Sequence, residues 1–194
     1  MSTQQQILRL NAAGHPIGWM NHQTAARLYY TNQIVYECGS STVHLRGGYN
    51  RVTRLRSYLN LNSIVATNNM NKLDYSAFTP SLTNLTLFKR DAYRCLYCGS
   101  SYGHKDLSRD HILPLSQGGE DKWNNVVTAC KRCNNHKGGR TPEKANMMLL
   151  AIPFSPSRVE YIILRGRKIL ADQMEFLISY IPITSPIYQR YTKS

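Results

Sequence analysis

The chain has 194 residues, 42% hydrophobic and 18% charged, with 24 Lys and Arg against 11 Asp and Glu for a formal charge of +13. That length suits one domain or two small ones, and the apolar content suffices for a core, which excludes a disordered chain. No run of about 18 apolar residues is present, which excludes a transmembrane helix. The Met1-Ser2-Thr3-Gln4-Gln5-Gln6 start lacks the basic-then-apolar pattern of a secretory signal, so a cytoplasmic location is expected.

The positive charge is not a tail. Basic residues outnumber acidic ones by 7 to 2 in residues 1–86, by 11 to 6 in 87–145 and by 6 to 3 in 146–194. A folded chain of this charge favours polyanions, because each neutralised phosphate releases counterions. No Lys/Arg-rich amphipathic helix suited to a lipid surface is evident, so no membrane partner is expected.

From the N-terminus, Ile7–Leu10 and Pro16–Met20 read as strands and Gln23–Tyr30 as a short helix with Ala25, Ala26 and Leu28 inward. Ile34–Cys38, Thr42–Arg46 and Val52–Leu59 read as further strands, the last on a weak alternation of Val52, Leu55 and Tyr58. Cys38 is expected to be a buried small hydrophobe. Arg46, Tyr49, Arg51, Arg54, Arg56 and Tyr58 interleave basic and aromatic residues. That pattern suits a nucleic-acid backbone and equally a strand with one solvated face. The Asn-rich stretch Asn60–Asn71 is the expected linker. Pro80-Ser81 and Thr83 then predict a capped helix leading to Phe88.

Two C-x2-C knuckles follow, Cys95/Cys98 and Cys130/Cys133, and with the lone Cys38 they make an odd count that argues against a disulfide framework. Such pairs present four thiolates to one zinc ion, and because all four ligands are sulfurs the site would be structural. The 31 residues between the knuckles exceed the usual spacing, so a folded insertion is expected there. Within it, Ile112, Leu113 and Leu115 predict a strand, Gln117-Gly118-Gly119 a turn, and Val126–Ala129 a second strand. A short helix begins at the second knuckle.

Several motifs stand here in a fixed order. They are Phe88-Lys89-Arg90-Asp91, Tyr93-Arg94-Cys95, Asp110-His111-Ile112, Pro114, Gly118-Gly119, Asn125, Cys133-Asn134, Lys137-Gly138 and Arg140-Thr141-Pro142-Glu143. Over about residues 81–145 this region resembles the HNH (ββα-metal) endonucleases of bacteria and phages, in the subgroup with a four-cysteine zinc site. The resemblance implies a metal-dependent DNA endonuclease, with double-stranded DNA as substrate and either one or two chains in the active form. His111 suits a general base, since an unperturbed imidazole titrates near pH ~6.5. The Asp110 carboxylate and the Asn134 amide oxygen suit a hard divalent ion, Mg²⁺ or Mn²⁺, with His136 as the alternative ligand. Asn125 is implied to tether the loop and orient the base. Lys131, Arg132, Lys137 and Arg140 cluster around the last helix and suit phosphate contacts. A non-catalytic zinc protein binding DNA or RNA is the alternative, and it would need neither Asp110 nor His111.

Leu10-Asn11-Ala12, Pro16 and Trp19 resemble the N-terminal extension of many HNH proteins. After Pro153 and Pro156, residues 157–181 predict a helical tail divided near Gly166, and this tail is expected to pack on the rest of the protein or on a second copy. The expected fold class is α+β. It comprises an N-terminal α/β unit at 1–71 that can contact DNA, an HNH module at 81–145 and a C-terminal helical extension at 146–194.

Overall fold

The computed structural model describes residues 5–68 and 78–192. Two compact units are formed, one from residues 1–75 with 165–194 and one from 76–164. The class is α+β as expected, with two small sheets and six α-helices among the described residues.

In the first unit, β1 (Ile7–Leu10) pairs antiparallel with β2 (Pro16–Met20) and parallel with β4 (Arg56–Thr67), and β4 pairs antiparallel with β3 (Ile34–Tyr49). Helix α1 (His22–Tyr30) is capped by the Asn21 side chain, which accepts the Thr24 N–H. Its Ala25 and Leu28 join Ile7, Met20, Val43, Leu59, Leu61 and Val65 in the core. The Asn-rich stretch is therefore not a linker over residues 60–67. It is the buried half of β4, because Leu61, Ile64, Val65 and Ala66 are all core residues. Residues 69–71 lie outside the described part.

The two strands expected at Ile34–Cys38 and Thr42–Arg46 are one strand, β3, interrupted by a bulge. Cys38 is half-buried there. The strand expected from Val52 begins only at Arg56. Val52 and Leu55 are 89% and 71% exposed, in a turn where Asn50 Oδ1 accepts the Val52 and Thr53 N–H groups.

The bulge between Cys38 and Thr42 frees backbone donors, and α5 (Ala171–Ile178) supplies their acceptor. Asp172 Oδ2 accepts the Ser40 and Ser41 N–H groups at 3.0 Å each and the Ser63 hydroxyl at 2.5 Å. Gly39 sits at φ +91°, and a Cβ there would lie 2.6 Å from Ser63 Oγ, so this bend requires glycine. α6 (Pro186–Thr192) buries Ile187.

In the second unit, α2 (Asn84–Arg90) starts in a capping box between Thr83 and Thr86, at the predicted place. β5 (Leu107–His111) and β6 (Val126–Cys130) form an antiparallel hairpin, α3 (Lys131–Lys137) follows directly, and α4 is Arg158–Arg165. The first hairpin strand lies earlier than Ile112–Leu115. Pro114 lacks an N–H for a ladder, and Leu115–Gln117 coils into a 3-10 turn. Gly119 is required there, since a Cβ would clash with the Leu113 carbonyl oxygen. The helical tail divides near Gly166 as expected, into α4 and α5.

Burial opposes ionisation of Asp172, but its hydrogen bonds outweigh that and hold its carboxyl below the ordinary value. Its contribution to stability is present above the unfolded value of about 4 and is lost as pH falls through the lower folded value. Asp172→Ala is expected to cost about 1–2 kcal/mol at neutral pH and to flatten the acid limb of stability in urea titrations at pH 3–7.

Candidate active site

The knuckles are built by local backbone chemistry. Ala92 and Tyr93 both adopt left-handed conformations at φ 55°, which turns the chain out of α2 into Cys95. The Cys95 N–H bonds Ser100 O, and Gly99 N–H returns to Cys95 O, closing the first knuckle. In the second, Cys130 ends β6 and its Sγ accepts the Cys133 N–H at 3.5 Å in the first turn of α3.

The four sulfurs lie within 4.8 Å of one another. A tetrahedral site with Zn–S bonds of about 2.3 Å needs edges of about 3.8 Å, so this cluster fits one metal ion after small side-chain shifts. Protonation also favours an ion. Burial acts against the Cys98 thiolate but is outweighed by the Ser100 N–H and the Tyr102 hydroxyl, which bring the thiol to about 6. Cys130 is likewise lowered, whereas burial pushes Cys95 and Cys133 up. Four crowded thiolates need a cation, and the cluster has two already disposed to ionise.

The hairpin presents chemistry on both faces of β5. Ser108 and Asp110 share the face toward α3, where Asn134 and Lys137, one turn apart, meet them. Asn134 Nδ2 donates to Ser108 Oγ at 2.8 Å, and Lys137 Nζ donates to Asp110 Oδ1 at 2.9 Å and to His111 O at 2.8 Å. Asp110 Oδ2 accepts the Tyr97 hydroxyl at 2.5 Å. Asp110 and Lys137 are 5% and 1% exposed, a buried ion pair. Burial, then the Asp110 carboxylate, raises the Tyr97 hydroxyl far above its ordinary value, so it acts as a donor.

His111 leaves the opposite face. Its Nε2 lies 2.9 Å from Asp121 Oδ1, and Arg109 Nη1 lies 2.5 Å from Asp121 Oδ2. The Arg109 guanidinium, with His111 behind it, holds the Asp121 carboxyl below its usual range. Among the described residues Asn125 makes no hydrogen bond to His111. Its Oδ1 accepts the Leu113 N–H at 2.9 Å, and its Nδ2 donates to Leu113 O and Glu120 O at 3.0 and 2.8 Å. It clamps the loop that leaves His111.

Among the remaining expected residues, Lys137 is corrected. Its buried ammonium faces Asp110 and is not available to a backbone phosphate at the surface. Arg140 donates to the Lys137 and His136 carbonyls and so caps the C-terminus of α3. His136 is exposed and lies about 200° around the helix from Asn134, away from the Asp110 layer. Lys131 and Arg132 are exposed at the start of α3.

The sequence reading gives no role to Tyr97, Arg109, Asp121 or Arg90. Arg90 is fully buried. It pairs with Asp91 and donates to the Trp123, Val126 and Phe154 carbonyls at 2.8–3.0 Å, while Asp91 accepts the Thr128 N–H. The signal was a charged pair directly behind the apolar Leu87-Phe88 of a helix.

Lys137→Met leaves the Asp110 carboxylate buried without its counter-charge and is expected to cost about 3–5 kcal/mol in urea denaturation. Adding Asp110→Asn to that variant is expected to restore part of the loss, because the orphaned charge is then gone.

Comparison with known proteins bears on residues around this hairpin. The sequence profile described as HNH endonuclease matches residues 95–150. The CRISPR-associated endonuclease Cas9 of Actinomyces naeslundii is 41% identical over 44 residues, covering 22% of this chain and 4% of that protein. Its counterpart in Corynebacterium diphtheriae is 39% identical over 51 residues, 26% of this chain and 5% of that one. A Streptococcus thermophilus Cas9 is 37% identical over 70 residues, 32% and 6%. Among solved structures, the A. naeslundii Type II-C Cas9 enzyme aligns with a TM-score of 0.31 at 25% identity, over 48% of this chain and 10% of that one. The chain thus spans a small fraction of these relatives' length. Residues 95–150, which hold both knuckles, the Asp110-His111 hairpin and α3 in order, match the HNH endonuclease family model.

Proposed function

We propose that the protein is a metal-dependent endonuclease acting on double-stranded DNA, with His111 as general base. The observation that carries this reading is the His111–Asp121 pair. An ionised Asp121 accepts from Nε2, so the neutral imidazole is the Nε2–H tautomer and its basic lone pair is on Nδ1. Arg109 keeps Asp121 ionised and fixed, and the Asn125 clamp holds the backbone that follows His111. His111 Nδ1 would take the proton of the attacking water, and Asp121 would stabilise the imidazolium that forms. Lys131 and Arg132 would meet the phosphate backbone.

The four cysteines are read as a structural zinc site, because all four ligands are sulfurs and no position stays open for water. The catalytic ion would be held by Asp110 and by Asn134, whose amide oxygen is left over once Nδ2 bonds Ser108. This all-oxygen set suits Mg²⁺ or Mn²⁺, although Asp110 also carries the Lys137 ammonium. Such an ion supplies charge neutralisation at the phosphate and at the leaving 3′ oxygen.

The test is conversion of supercoiled plasmid by purified protein with Mg²⁺ or Mn²⁺. His111→Ala is expected to lower the rate about 10²–10⁴-fold, and Asp121→Ala to lower it less, with DNA affinity unchanged in both. Plasmid bound but never cut by the wild type, on DNA of varied sequence, would favour the non-catalytic binding protein instead.

A further inference from the structure

The β3–β4 ribbon is not used by the nuclease site. Its strands run out past the core, and every residue from 46 to 58 is exposed. Between Glu37 and Asp74 the chain has no acidic residue, yet it has Arg46, Arg51, Arg54 and Arg56. The register decides where they point. Leu45 and Leu59 are opposite one another and face the core, as do Val43 and Leu61. The alternate pairs His44–Asn60 and Arg46–Tyr58 therefore share the other face.

The register shift between Arg46 and Tyr49 carries this pattern to the tip. Past it, Tyr49 stands opposite Arg56, two residues before Tyr58 on β4, so the pair lies on the same outer face. Arg56 stacks over the Tyr49 ring at 5.5 Å and donates to Gly47 O at 3.1 Å, which fixes that corner. The result is one ribbon face of alternating arginine and tyrosine, with His44 and Asn60 behind it and the apolar Val52 and Leu55 between arginines at the tip.

We propose that this ribbon is a second DNA-contacting surface, which enters a groove of the duplex. The proposal deepens the endonuclease reading. Two strands about 4.8 Å apart fit a major groove about 12 Å wide. Arginines meet the phosphates, Tyr58 and Asn60 meet base edges, and the exposed tip residues Val52 and Leu55 meet apolar base surface.

The test is fluorescence anisotropy of the full-length protein with a labelled duplex, without added divalent ion, over a salt series. The variant carries Arg46→Gln, Arg51→Gln and Arg54→Gln, three side chains that make no hydrogen bond among the described residues. An unchanged circular dichroism spectrum verifies its fold. It is expected to bind at least 10-fold more weakly at 0.1 M salt, with the slope of log K against log salt smaller by about 2–3. Tyr58→Ala is expected to weaken binding several-fold while leaving the slope unchanged. Wild-type affinity and slope in the triple variant would overturn the proposal. So would loss of binding to phosphatidylserine vesicles alone, which would make the ribbon a lipid contact. Binding that depends on the ribbon in a protein that never cuts would defeat the nuclease reading and leave this one standing.

Discussion

The second unit depends on one constraint, that four sulfurs from two distant knuckles converge on a single point. The knuckles are separated by 31 residues, and the apolar residues at their corner are few, Cys95, Ala129 and Cys130 with Tyr97 and Tyr102 beside them. Closing that segment sets where β6 ends and where α3 begins, since Cys130 is both the last strand residue and the cap of the helix. The helix start in turn sets its phase. With Cys133 turned to the sulfur cluster, Asn134 and Lys137 are left facing β5, and the site layer is assembled as a consequence.

Electrostatics then divides the hairpin into two chemical faces. On one, a buried ammonium and a buried carboxylate face one another with Tyr97 completing the carboxylate's partners, a pairing that costs desolvation and fixes register more than it adds stability. On the other, His111 is half-open and oriented by a carboxylate that Arg109 keeps ionised. A histidine and an aspartate adjacent in sequence thus serve different environments because a strand alternates its side chains. Arg90 and Asp91 fasten the same hairpin from behind, binding carbonyls of Trp123 and Val126 and the N–H of Thr128.

Much of this was legible in the sequence where chemistry is local. The knuckles, the Thr83 cap, the strand at Val126 and the helix after Cys130 each announce themselves within a few residues. The Asn-rich segment was misread because composition spoke for a loop, while Leu61, Ile64, Val65 and Ala66 spoke for a central strand. The first hairpin strand was placed too late because Ile112 and Leu113 are more apolar than Ser108-Arg109-Asp110, whose polar side chains are paid for by partners on α2, α3 and the turn. Asp121 lies ten residues from His111, and no periodicity links them. Only the folded connection between β5 and β6 brings the two together. Lys137 looked like a surface cation because nothing local shows that α3 turns it inward.

The central claim is that a metal ion at the four cysteines holds the second unit together, and its metal content tests it most directly. Native mass spectrometry of the purified full chain is expected to show one zinc per chain, and removal of that zinc by chelator to abolish the folded circular dichroism signal of this unit. A protein shown to be free of metal, with an unchanged spectrum and an unchanged melting transition, would contradict the account.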